Sequence, residues 1–156
     1  MDHAVAVILA GGSGTRFWPM STKKEPKQLC HVGGMDQTML ELTLKRLDGW
    51  IPPERRIIIT NTDLVEPTKS ICGSKVSHVI AEPVGKNTAN ALLLGARVAR
   101  KLDPEAIMLS FHADHLIREE DLFRSCCQMA YNVAGEQKTV LTVSYTHLTL
   151  PTICSV

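Results

Sequence analysis

Aromatic residues are scarce in this 156-residue sequence, where Phe, Trp and Tyr together make up 4% of the chain. So few rings leave no stacking platform of the kind that binds single-stranded nucleic acid. An excess of basic charge is also missing, because 17 Lys and Arg residues face 16 Asp and Glu residues. Broad binding to nucleic acid or to an anionic membrane requires a cationic surface. We therefore expect neither of them as a partner.

Cysteine chemistry is equally limited. The five cysteines show no C-x-x-C spacing, and their odd number does not resemble a disulfide framework. The first apolar run, residues 4–10, is too short to span a bilayer, and no signal peptide is recognisable ahead of it. These features favour a cytoplasmic protein, and the length suits one domain.

Apolar runs alternate with amphipathic stretches along the chain. The runs predict strands buried on both faces, over residues 4–10, 55–60, 77–82, 106–111 and 139–143. A capping box of Thr38 and Glu41 introduces a helix that ends before Gly49. A short helix or turn is predicted over 65–71, and longer helices are predicted over 87–102 and 119–134. This alternation predicts an α/β fold with a Rossmann-like, mostly parallel sheet and helices on both faces.

Polar clusters follow three of the predicted strands, at residues 11–16, 82–88 and 112–115. In open parallel sheets, ligands bind beyond the carboxyl ends of the strands. The three clusters are therefore expected to share one site.

The first cluster is a glycine loop with the pattern G-G-x-G-x-R, followed by Pro26-Lys27. It is not a Rossmann fingerprint, which would need glycine at Phe17, nor a Walker A loop, which would need glycine at Arg16. Glycines still let backbone N–H groups approach phosphate oxygens, and Arg16 and Lys27 supply cations suited to a polyphosphate. The alternative is a tight turn with surface cations.

Three stretches carry a family resemblance: VILAGGSGTRFWPMSTKKEPKQL (7–29), AEPVGKNTANA (81–91) and LSFHADHLI (109–117). The first resembles the signature of sugar nucleotidyltransferases, which implies a GT-A-like nucleotidyltransferase fold. The second and third resemble motifs of mannose-1-phosphate guanylyltransferases.

The resemblance implies an enzyme that transfers GMP from GTP to mannose 1-phosphate, giving GDP-mannose, a precursor in polysaccharide biosynthesis, and pyrophosphate. Such transfers depend on positioning and on neutralising charge rather than on a protein nucleophile. Two alternatives stay open. One is a nucleotidyltransferase for another sugar 1-phosphate, and the other is a non-catalytic paralogue that senses a nucleotide sugar.

The resemblance also implies roles for individual residues. Arg16 would hold the leaving phosphates and Lys27 would neutralise charge near the transferred group, which makes these two the catalytic candidates. For Asn87 and Thr88, capping of the following helix is an alternative explanation. The implied nucleotide-binding residues are Leu9, Ala10, Gly11, Gly12, Gly14, Thr15, Arg16, Glu82, Pro83, Gly85, Lys86, Asn87 and Thr88.

Asp114 is the candidate metal ligand, because one carboxylate at a strand end suits Mg²⁺ or another divalent cation that also binds substrate phosphates. A zinc site made of His112, Asp114 and His115 is the less favoured alternative, because ligands so close in sequence seldom close a site unaided. His112 stands where the family usually has proline.

The resemblance divides the chain at about residue 143. Residues 1–143 form the nucleotide-binding part of a nucleotidyltransferase domain, whereas residues 144–156 match nothing expected of the family. VSYTHLTLPT (143–152) can be encoded by DNA that resembles a transposase adapter used in sequencing libraries, so we hypothesise that the tail is not native. A divergent final strand is the alternative. The sugar-binding half that the family implies has no counterpart here, so we expect a truncated fold that binds GTP weakly and does not turn it over.

Overall fold

The structure is a computed structural model that describes residues 1–12, 21, 26–31, 36–84 and 87–137, the side chains of Asn87 and Gln137 excepted. It divides into two compact units, Asp2–Leu116 and a second unit of Met1 with the chain from Ile117 onward. The predicted strand 139–143 and the tail 144–156 lie outside the described residues.

A parallel sheet organises the first unit. Its strands are β1 (Ala4–Leu9), β2 (Arg56–Asn61), β3 (His78–Glu82) and β4 (Ile107–His112), in the order β3-β2-β1-β4. Every pair is parallel, with Val7 of β1 beside Ile57 of β2 and Ser110 of β4. The β-branched runs of β1 and β2 are buried along almost their whole length, as expected of strands covered on both faces. The predicted parallel sheet is confirmed.

Three helices connect these strands: α1 (Met39–Arg46), α2 (Val65–Cys72) and α3 (Asn87–Leu102). The predicted capping box begins α1, with the Thr38 backbone N–H donating to Glu41 Oε2 at 2.8 Å and the Glu41 N–H donating to Thr38 Oγ1 at 3.2 Å. Helix α3 spans the residues predicted from its periodicity. The described residues of the unit also include short 3-10 turns at Lys27–Leu29, Pro53–Arg55, Thr62–Leu64 and Gly73–Lys75.

One face of the sheet packs against α3. Val5 and Val7 of β1, with Ile57 and Ile59 of β2, form a buried cluster with Ala91 and Ala99 of that helix. Helix α3 approaches β1 closely at Gly95, where an added Cβ would lie 2.5 Å from Val7 Cγ1. Alternate strand residues point to opposite faces, and those of the other face, Ile8 and Ile58, are also fully buried. The expected cover on both faces is confirmed.

The second unit contains helix α4 (Glu120–Gln137), which was predicted over 119–134. Glu120 and Asp121 occupy its first turn, where the helix dipole favours negative charge. Among the described residues of both units, no helix has the length and apolar content needed to cross a membrane.

Candidate active site

A cavity of about 450 Å³ lies at the carboxyl edge of the sheet, within the first unit. All three predicted polar clusters contribute to its lining, which confirms that they share one edge. The predicted site residues in the lining are Leu9, Ala10, Gly11, Gly12, Glu82, Thr88 and Asp114. Pro83 is exposed beside it, Asn87 begins α3, and Gly14, Thr15, Arg16, Gly85 and Lys86 lie outside the described residues.

Three side chains hold the backbone that leaves β1. The buried Gln28 amide donates to Ala10 O at 2.6 Å and to Gly12 O at 3.1 Å. Thr60 Oγ1 also donates to Ala10 O, at 3.1 Å, and Asn61 Nδ2 donates to Gly11 O at 2.6 Å. Because these carbonyls are occupied, the loop starts in a fixed direction. None of these three side chains was predicted from the sequence, although Gln28 directly follows the Pro-Lys pair and Asn61 ends a strand.

Gly11 and Gly12 differ in the room around them. A Cβ on Gly11 would lie 3.3 Å from Asn61 Oδ1, so a side chain there would press on the residue that holds its own carbonyl. A Cβ on Gly12 would meet none of the described residues within 4 Å. Gly11 therefore meets a packing requirement, whereas Gly12 leaves open space beside the cavity.

Lys27 and Asp114 form an ion pair at the cavity, between Lys27 Nζ and Asp114 Oδ2. Their side chains are 28% and 27% exposed. Partial burial acts to raise the pKa of the Asp114 carboxyl, but the hydrogen bond and charge of Lys27 outweigh it and hold that pKa below its ordinary value. A charged carboxylate and an ammonium therefore lie together at the edge of the cavity at neutral pH.

The turn after β4 also brings two exposed imidazoles together. The rings of His112 and His115 stack with centroids 4.9 Å apart. Desolvation lowers the pKa of His115, and the charge of His112 lowers it further, so His115 is neutral near pH 7 despite the adjacent Asp114. The buried Arg46 of α1 donates from Nη2 to His115 O at 2.8 Å, which anchors the end of the turn.

Glu82, at the end of β3, lines the cavity. Its Oε1 is buried and has no hydrogen-bond partner within the described parts of the chain. A buried carboxylate oxygen is costly unless a donor reaches it. A ligand that carries N–H or O–H donors would meet this requirement.

Asp114 also fits the position of a metal ligand. Its carboxylate faces the cavity, already attracts the Lys27 ammonium, and belongs to a group with His112 and His115 whose ligand atoms all lie within 4.8 Å of one another. Carboxylate oxygens are the ligands that Mg²⁺ prefers, together with water and substrate phosphates.

The comparison with known sequences specifies the class of protein to which this parallel sheet and the charged groups at its edge belong. The chain belongs to the nucleotidyl transferase family, whose sequence profile matches residues 5–149. Enzymes of this family generally use a divalent metal ion.

Within this family the chain is similar to mannose-1-phosphate guanylyltransferases, which confirms the resemblance seen in its motifs. It is 39% identical over 140 residues to the mannose-1-phosphate guanylyltransferase of Escherichia coli K12, a match that covers 85% of this chain and 29% of that protein. It is 35% identical over 144 residues to the mannose-1-phosphate guanylyltransferase of Salmonella muenchen, covering 90% of this chain and 30% of that one.

A solved structure supports the same assignment of fold. The crystal structure of a Thermus thermophilus protein described as a mannose-1-phosphate geranyltransferase superposes with a TM-score of 0.74 at 33% identity, covering 86% of this chain and 39% of that one. The α/β nucleotidyltransferase fold is thereby confirmed. The chain spans about 29% of the length of the Escherichia coli relative.

Proposed function

We propose that this chain carries the GTP-binding part of an enzyme that transfers GMP from GTP to mannose 1-phosphate, giving GDP-mannose and pyrophosphate. The observation that carries the proposal is the Lys27–Asp114 ion pair at a cavity that Gly11 and Gly12 also line. The similarity to mannose-1-phosphate guanylyltransferases supports the choice of substrates. We place the enzyme in the cytoplasm and its product in polysaccharide biosynthesis.

The triphosphate lies along the loop that follows β1. Gly12 leaves open space on the cavity side, so phosphate oxygens can approach the backbone there. Arg16 contributes a guanidinium toward the leaving phosphates. Lys27 neutralises charge on the phosphoryl group under attack, a role in which a positioned cation stabilises the transition state.

The guanine base lies near the end of β3. Glu82 Oε1 needs a donor. Guanine presents two adjacent donors, at N1 and at its exocyclic amine, whereas adenine presents one donor, its exocyclic amine, beside an acceptor at N1. Thr88, at the first turn of α3, lines the same cavity. The resemblance of residues 81–91 to the family motif is the basis for adding three further residues to this subsite: Gly85, Lys86 and Asn87.

Asp114 holds Mg²⁺ in this proposal. When bound, the ion neutralises negative charge on the phosphates and helps to orient them. Lys27 pairs with Asp114 Oδ2, so a bound ion would share this carboxylate with the ammonium.

We propose that residues 144–156 are not native, even though the family profile extends to residue 149, and that the groups holding mannose 1-phosphate lie in sequence beyond residue 143 of the natural protein. Sequencing the locus from intact genomic DNA tests this. The proposal expects a different continuation after residue 143, and recovery of the same tail would contradict it.

Isothermal titration of the 156-residue chain with GTP, ITP and ATP tests the nucleotide assignment. ITP differs from GTP only by lacking the exocyclic amine that Glu82 would accept from. We expect GTP to bind most tightly, and Glu82→Gln to lower GTP affinity by roughly tenfold while reducing ITP affinity less.

Glu54→Gln is the matched control, because Glu54 is exposed and precedes β2 at the opposite edge of the sheet. It should leave all three affinities unchanged. Equal affinity for ATP and GTP would contradict the proposal, as would a GTP preference that Glu82→Gln does not alter.

A further inference from the structure

We propose that His112, Asp114 and His115 form a binding site for a borderline transition-metal ion such as Zn²⁺ or Co²⁺. Each residue offers one ligand atom, and these atoms lie within 4.8 Å of one another. The site shares Asp114 with the proposed magnesium position, and a borderline ion would bind there in place of Mg²⁺, because two of the three ligands are imidazoles. Imidazole suits Zn²⁺, Cu²⁺ and Ni²⁺, whereas Mg²⁺ prefers oxygen.

The backbone that carries the three ligands is held firmly. The Ala113 N–H donates to Leu9 O at 3.0 Å, and the Ala113 side chain is buried. His115 O accepts from Arg46 at 2.8 Å. The turn at residues 113–114 reverses the chain so that the rings of His112 and His115 stack. The ligand atoms of the three residues lie within 4.8 Å of one another although the residues are neighbours in sequence, and the stacked rings must turn before both can face one ion.

Small side-chain movements would complete the coordination. Zinc–nitrogen bonds of about 2.0–2.1 Å place tetrahedral ligand atoms about 3.3–3.4 Å apart. The ligand atoms here must therefore approach by roughly 1 Å, or slightly more for the most distant pair. Both imidazoles are exposed and can rotate without disturbing the core. The remaining coordination positions are open to water or to a phosphate oxygen.

The two carboxylate oxygens of Asp114 would have different partners, the metal ion at Oδ1 and the Lys27 ammonium at Oδ2. Its Oδ1 lies 3.9 Å from His115 Nε2, whereas its Oδ2 pairs with the Lys27 ammonium. A metal ion bound to Oδ1 would thus leave the ion pair at Oδ2 in place. The Lys27 charge would nevertheless repel the ion, so removing that charge should tighten metal binding.

The test is a titration of the tag-free chain with CoCl₂ in the absence of nucleotide, followed by the visible absorption of bound Co²⁺. We expect one Co²⁺ per chain and an absorption spectrum typical of nitrogen and oxygen ligands. His112→Ala and His115→Ala should each weaken binding by roughly tenfold or more. His78→Ala is the matched control. His78 is exposed at the start of β3, at the edge of the sheet opposite the cavity, so its removal should leave the Co²⁺ affinity unchanged.

Lys27→Ala separates this site from the proposed GTP function. It should tighten Co²⁺ binding severalfold while weakening GTP binding. Unchanged Co²⁺ affinity in His112→Ala and His115→Ala would overturn the metal site, as would a spectrum dominated by thiolate charge transfer. Circular dichroism of each variant establishes that it is folded. Because no nucleotide is present, a chain that fails to bind GTP still reports on the metal site.

Discussion

The segments that leave β1 and β4 border the same cavity but are built differently. After β1, the carbonyls of residues 10–12 all accept hydrogen bonds from side chains of other elements, and Gln28, the main donor, is buried. At the end of β4, His112 and His115 are exposed. Asp114 lines the cavity and forms an ion pair with Lys27. One segment is thus a fixed backbone framework, and the other presents chemical groups to a ligand.

This difference predicts two kinds of defect. A change in the imidazoles of His112 and His115 should impair ligand binding and leave the free energy of unfolding nearly unchanged, because both side chains are exposed. A change in the bonds that hold the loop after β1 should reduce stability first, because it leaves buried carbonyls without donors.

The largest effect is expected for Lys27→Ala. Loss of a charge-assisted contact to phosphate should weaken GTP binding by roughly tenfold to a hundredfold, equivalent to about 1.5–3 kcal/mol. The unfolding free energy should change by less than about 1 kcal/mol. Titration calorimetry and urea unfolding measure the two quantities. Lys45→Ala, at an exposed position of α1, is the control, and an equal loss of affinity in both variants would contradict the role of Lys27.

Gln28→Ala should have the next largest effect, on stability. Its amide bonds two carbonyls, and removing it should lower the free energy of unfolding by about 1–3 kcal/mol. Urea unfolding measures this change. Gln128→Ala is a suitable comparison, since the Gln128 amide bonds Asn132 at an exposed position of α4. A Gln28 variant as stable as the parent chain would show that the loop after β1 needs no support from this side chain.

The smallest effect on stability is expected at the start of α1. There the hydrogen bonds of the capping box join residues close in sequence, unlike the long-range bonds that hold the loop after β1. Thr38→Ala should cost about 1 kcal/mol. The hydrogen bond from the Thr38 backbone N–H lowers the pKa of Glu41. The charged carboxylate therefore stabilises the fold at pH values above the ordinary pKa of a glutamate. This contribution is lost as the pH falls below that value.

The parent chain should therefore lose more stability than Glu41→Gln when the pH is lowered from 7 to about 3.5. Urea unfolding at the two pH values measures the difference. Identical losses in the two proteins would show that the capping carboxylate adds nothing to stability.

Local signals explain why so much of the fold could be predicted. The capping box lies within four residues, the helix 87–102 has a clear period, and the four described strands are compact, mostly apolar runs. Placement of the three polar clusters at one edge followed from the parallel topology. These features depend on neighbouring residues or on a general rule of sheets.

The missed features depend on contacts between distant parts of the chain. Thr60 and Asn61 reach carbonyls 50 positions away, and such side-chain to backbone bonds leave no periodic pattern in the sequence. Lys27 and Asp114 were both singled out, but not as a pair, because their encounter depends on how the turn after Pro26 meets the end of β4. The close approach of Gly95 to Val7 is of the same kind.

The central claim is that the segments after β1, β3 and β4 form one nucleotide site. Amide chemical-shift mapping of the ¹⁵N-labelled chain during titration with GTP and Mg²⁺ tests it most directly. We predict that the perturbed signals cluster at residues 9–12, at Glu82 and Thr88, and at residues 112–115. Perturbations confined to the opposite edge of the sheet, around residues 54–56 and 76–78, would contradict the claim, as would an unchanged spectrum at saturating GTP.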